Sequence, residues 1–95
     1  MTDKREITLE LGDKNFTFNL APQDVTKYFN GMTASNKVAP THNLLINTVK
    51  ADQRDELRAL IINPVMTMQL AGVLLEEYAP DVEIIVKKHS STLSA

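Results

Sequence analysis

The sequence predicts an α+β fold, and three observations predict it. Two runs near the start alternate apolar and polar residues; the middle of the chain carries apolar stripes at helical spacing, punctuated by proline; and a β-branched run follows near the end. In residues 6–11, EITLEL, the residues Ile7, Leu9 and Leu11 share one face. In residues 15–20, NFTFNL, Phe16, Phe18 and Leu20 do the same. Gly12, Asp13, Lys14 and Asn15 lie between, turn chemistry in which Asn tolerates a left-handed backbone. The pair reads as a β-hairpin.

Pro22 opens the first helix, where its fixed φ suits the first turn. Asp24 sits near the positive helix end, Val25, Tyr28 and Phe29 form the inward stripe, and Gly31 stops it. Residues 33–40, TASNKVAP, read as a loop. Thr41 is the expected N-cap of a second helix reaching Val49, with Leu45 and Val49 inward and Leu44 or Ile46 beside them. Asp52 is the expected cap of a third, buried along Leu57, Leu60 and Ile61. Asn63 and Pro64 start the fourth as cap and first-turn proline. Pro80 and Asp81 break it, and residues 82–87, VEIIVK, read as a strand.

The expected architecture is therefore an N-terminal β-hairpin, four short helices and a C-terminal strand. That strand completes a three-stranded, mainly antiparallel sheet covered by helices on one face, since two strands alone are marginal. Ninety-five residues make a single domain, ordered over about 6–88 with loose ends at 1–5 and 89–95.

Composition narrows the function. The formal charge is −2 and the lysines and arginines are scattered, so the electrostatic footprint of a nucleic-acid binder is missing. With no cysteine there is neither a disulfide framework nor a thiolate metal site. A charged start and no long apolar run argue against a leader or a membrane span and place the chain in the cytoplasm. His42 follows an expected helix cap, and His89 is remote from it. Asp52, Asp55 and Glu56 could suggest a metal, but carboxylates in a first helical turn favour the dipole there. No serine has a nucleophile-elbow context, and three dispersed glycines cannot cradle a phosphate. The expectation is a protein that is not an enzyme and needs neither metal nor cofactor.

The fourth helix is unusually apolar. On a wheel of about 100° per residue, Met68, Leu70, Ala71, Leu74, Leu75, Tyr78 and Ala79 fill one half. Gln69, Glu76 and Glu77 mark the opposite half, where Met66 and Val73 also fall, with Val65 at its edge. Ile85 is a second apolar surplus, on the outward face of the last strand. These four residues are either ordinary apolar surface or a partner-binding site. Both readings stay open on the residues alone.

Three segments together resemble a known family: KVAPTHNLL at 37–45, NPVMTMQLAGVLLEEYAPD at 63–81 and VEIIVKK at 82–88. They are similar to the small tail assembly chaperones of long-tailed phages and prophages, and the hairpin with Phe16 and Phe18 fits as well. The resemblance implies a non-enzymatic role in tail morphogenesis. The chain would bind the tape measure protein in the host cytoplasm, with the tail tube protein as a second candidate partner, and would be absent from the mature virion. It favours the partner-binding reading of Val65, Met66, Val73 and Ile85. A small antirepressor-like regulator and a minor virion structural protein are the competing functions. A nucleic-acid module on the second and third helices is opposed by Asp52, Asp55 and Glu56 beside Arg54 and Arg58.

Overall fold

A computed structural model describes residues 4–79 and 85–87. Strands β1 (Arg5–Leu11) and β2 (Lys14–Leu20) form the expected antiparallel hairpin, in a register that pairs Ile7 with Phe18 and Leu9 with Phe16. The tight turn puts its left-handed residue at Gly12, φ 67°, where no Cβ opposes it; Asn15 is already inside β2. Phe16, Phe18 and Leu20 are fully buried, whereas Leu9 and Leu11 are only half-buried.

Helix α1 (Pro22–Gly31) begins at the proline, and the Asp24 carboxylate accepts from the Ala21 N–H at 2.9 Å. Tyr28 is its buried residue; Phe29, expected in the same stripe, is exposed. Val25 is half-buried and Tyr28 buried, so these two form the inward side of α1, and Phe29, one position past Tyr28, is turned about 100° away from it. Helix α2 (Val38–Thr48) starts inside the expected loop. Pro40 is tolerated because first-turn N–H groups have no intrahelical acceptor. Thr41 is consequently a helical residue, its hydroxyl donating to Lys37 O at 2.6 Å, and not the cap. Leu44, Leu45 and Ile46 are all buried.

A 3-10 turn (Ala51–Gln53) leads into α3 (Arg54–Leu60). Asp52 lies in that turn and makes no capping hydrogen bond, so the expected cap is corrected. Leu57 and Ile61 are buried as expected, and Leu60 packs against them half-exposed. Helix α4 (Pro64–Tyr78) begins as the sequence predicts: Asn63 Oδ1 accepts from the N–H groups of Val65 at 2.9 Å and Met66 at 3.4 Å.

One apolar cluster joins the hairpin to the helices, with Phe16, Phe18, Leu45, Leu57 and Leu74 at its centre. Among the described residues the sheet has two strands, β1 and β2. The expected third strand over 82–87 falls mostly outside the described residues, and its described part, 85–87, has no strand pairing.

Candidate functional site

The two edges of the hairpin are treated differently. The outer edge of β2 is closed by the segment after α2. Phe18 and Val49 form an antiparallel bridge, and the Lys50 N–H donates to Thr17 O at 2.9 Å. Gln53 completes the closure: its Oε1 accepts from the Thr17 N–H at 2.8 Å and its Nε2 donates to Asn15 O at 2.9 Å. A primary amide has one acceptor and one donor end, so it mimics one step of a strand ladder. Among the described residues no backbone hydrogen bond reaches the outer edge of β1. Unpaired edge groups of this kind are a template for another strand.

Helix α4 lies beside that open edge. Its last turn is tied to the start of β1, because the Arg5 guanidinium donates to Tyr78 O at 2.8 Å and Ala79 O at 3.3 Å. A cation at a helix C-terminus also meets the negative end of the dipole. Between β1 and α4 runs an open groove of about 820 Å³. Leu9, Leu11, Met66, Leu70 and Val73 give it an apolar lining, and Gly72 presents bare backbone. Glu10, Glu76 and Glu77 are its charged residues, and no lysine or arginine lines it. Two other hollows have mixed linings, one with Lys4, Asp24, Lys50 and Asp52 around it and one with Asp24, Lys27 and three asparagines beside Tyr28, Pro40 and Leu44.

The predicted site residues separate on this surface. Met66 and Val73 line the groove, Met66 half-buried and Val73 48% exposed. Val65, 62% exposed, lies outside the groove lining, as does Ile62, which is more exposed still. Ile85 is 74% exposed and also outside it. The structure therefore joins two of the four and adds Leu9 and Leu11 to them. The hairpin alternation assigned those two leucines to the core, and only the position of α4 leaves them accessible.

The wheel of α4 needs one correction. Thr67, Leu70, Ala71 and Leu74 are buried, while Met68 and Ala79, placed in the core half, are exposed. The inward face is rotated toward Thr67 because that hydroxyl is satisfied internally, donating to Ile61 O at 2.8 Å and Asn63 O at 3.1 Å. A satisfied hydroxyl costs little to bury. Met68 is then turned outward.

The acidic residues at α3 do not converge. Glu56 pairs with Lys14, whose pKa is raised by the Glu56 hydrogen bond and charge, and Asp55 pairs with Arg58 at 3.2 Å. Asp52 is in the preceding turn. Among the described residues no group of His, Asp and Glu is placed to hold a metal. Arg54 is directed to Ile46 O at 3.2 Å, so it serves the fold. No helix of the described residues is long and apolar enough to cross a membrane.

Residues 7–88 match the family model described as phage tail assembly chaperone. An 11.3 kDa protein from the lys 3′ region of Haemophilus phage HP1 (strain HP1c1), itself described as uncharacterised, is 30% identical over 84 residues. The alignment covers 88% of this chain and 82% of that protein. No solved structure matches. The chain belongs to the phage tail assembly chaperone family.

Proposed function

We propose that the chain is a non-enzymatic holdase for the tape measure protein during tail morphogenesis, and that the β1–α4 groove is its client surface. What carries the reading is the groove itself: apolar side chains laid beside a strand edge that is unpaired among the described residues, on a chain of this family. Such a surface can remove a client's apolar side chains from water while β1 supplies backbone hydrogen bonds. Met66 suits it, because a thioether adapts to varied shapes. Val73 belongs to the same contact. Val65 and Ile85 extend it beyond the groove, and the tail tube protein is a second partner of the same surface. Binding by burial alone requires no catalytic group, metal or cofactor.

The work takes place in the host cytoplasm before the tube closes, so the chain is absent from the finished virion. Co-expression with the tape measure protein tests this. The tape measure protein is expected to be soluble and to copurify with the chain, and to aggregate without it. Equal aggregation in both cases overturns the proposal. So does the chain in stoichiometric amount in purified particles.

A further inference from the structure

Three residues of α4 work against the helix that contains them. Gly72 stands in mid-helix, where glycine is less favourable than alanine, yet a methyl group there would meet nothing within 4 Å. Nothing inside the described fold therefore requires the missing side chain. Glu76 and Glu77 lie in the last turn, at the negative end of the helix dipole, where a carboxylate is unfavourable. All three residues are exposed, and all three line the β1–α4 groove. Local rules broken without a gain to the fold mark a functional surface.

We infer that the client segment held in this groove is apolar, is flanked by lysine or arginine, and packs against the bare backbone at Gly72. The inference rests on the client reading and adds the chemistry of the segment. The sign of the charge is particular to the groove. Glu10 stands on its β1 wall and Glu76 and Glu77 on its α4 wall, with no lysine or arginine in the lining, whereas the two other hollows each mix lysine with aspartate. Among the described residues none of the three glutamates has an ion-pair partner, while Glu56 has Lys14 and Asp55 has Arg58. A lysine or arginine suits such a groove, because its aliphatic stem lies along apolar side chains while its charge reaches an exposed carboxylate. Pairing of exposed charges selects the partner more than it holds it, and it fades with salt. Gly72 sets the distance. A side chain there would hold the segment away from the helix.

The test is the affinity of the full chain for the tape measure protein at low salt and at about 1 M, where the screening length falls to about 3 Å, together with the melting temperature of each variant. Wild type is expected to bind more weakly at high salt. The triple variant Glu10→Gln, Glu76→Gln, Glu77→Gln is expected to bind at least about threefold more weakly at low salt and to lose the salt dependence. Gly72→Ala is expected to melt about 2–8 °C higher and to bind at least about fivefold more weakly, as an overpacked contact does. A chain made more stable and less able to bind is a result that a purely structural glycine does not produce. Wild-type affinity in the triple variant or in Gly72→Ala overturns the inference, as does a wild type indifferent to salt or a Gly72→Ala chain that melts lower. In each of those cases wild type still captures the client, so the client reading survives. A wild type that captures no tape measure protein refutes that reading and the inference together.

Discussion

Replacing Gln53 by alanine removes both hydrogen bonds that close the β2 edge, at 2.8 Å to the Thr17 N–H and 2.9 Å to Asn15 O. A typical intramolecular hydrogen bond contributes about 0.5–1.5 kcal/mol net, which gives about 1–3 kcal/mol for the pair. The two bonds are not equivalent. The one to Asn15 O is exposed, so water replaces it at small cost, whereas the one to the Thr17 N–H is part-buried and its donor is harder to rehydrate. The lower half of the range is therefore expected, about 1–2 kcal/mol. For a chain of this size that lowers Tm by about 4–16 °C, at about 4–8 °C per kcal/mol. Gln23→Ala is the control, an exposed glutamine in the first turn of α1, expected to shift stability by less than about 0.5 kcal/mol. Urea and thermal denaturation of both variants measure the difference. If Gln53→Ala unfolds together with Gln23→Ala, the amide does not hold the β2 edge, and the contrast between a closed and an open edge is lost.

Asn63→Ala removes the acceptor for the Val65 and Met66 N–H groups and is expected to cost about 0.5–2 kcal/mol; hydrogen exchange at those two amides should accelerate, and unchanged exchange counts against the cap. Lys14 has its pKa raised above its ordinary 10.5 by Glu56, so its contribution to stability is complete below that value and fades as pH rises through the folded value. The difference in urea midpoint between wild type and Lys14→Met should be level from neutral pH to 10.5 and narrow above it, and a difference that persists into strong alkali contradicts the pairing. Exhaustive chelation should leave the circular dichroism spectrum unchanged, and loss of helix would reveal a structural metal.

The hairpin and the start of α4 were legible because each rests on local chemistry. Alternation from Ile7 to Leu20 needs only the two-residue period of a strand, and Asn63-Pro64 needs only the geometry of a first helical turn. The start of α2 was hidden because Pro40 after turn-forming residues resembles a loop ending, yet proline in a first turn is equally compatible with a helix. Thr67 was passed over and Met68 placed inward because a wheel read for apolar residues cannot register that a hydroxyl finds carbonyls at Ile61 and Asn63. Phe29 shows the reverse error, a large apolar side chain left exposed because nothing among the described residues covers it.

The lining of the candidate groove was legible only in part. Met66 and Val73 stood out because they interrupt a polar half-wheel, whereas Leu9 and Leu11 looked like core until α4 was seen to leave them half-covered. Gln53 and Arg5 gave no signal at all. Each bonds backbone more than thirty residues away, a relation that no local periodicity carries.

The central claim is that the exposed apolar residues of α4 hold a client, and adjacent positions on that helix separate this role from folding. Val73 is 48% exposed and lines the groove; Leu74 is fully buried. Leu74→Glu should unfold the chain by burying a carboxylate without a partner. Val73→Glu at a half-exposed position should melt within about 0.5 kcal/mol of wild type. The decisive measurement is the affinity of folded Val73→Glu for the tape measure protein. A loss of at least tenfold, about 1.4 kcal/mol, is expected, and capture at wild-type strength would contradict the placement of the client in this groove.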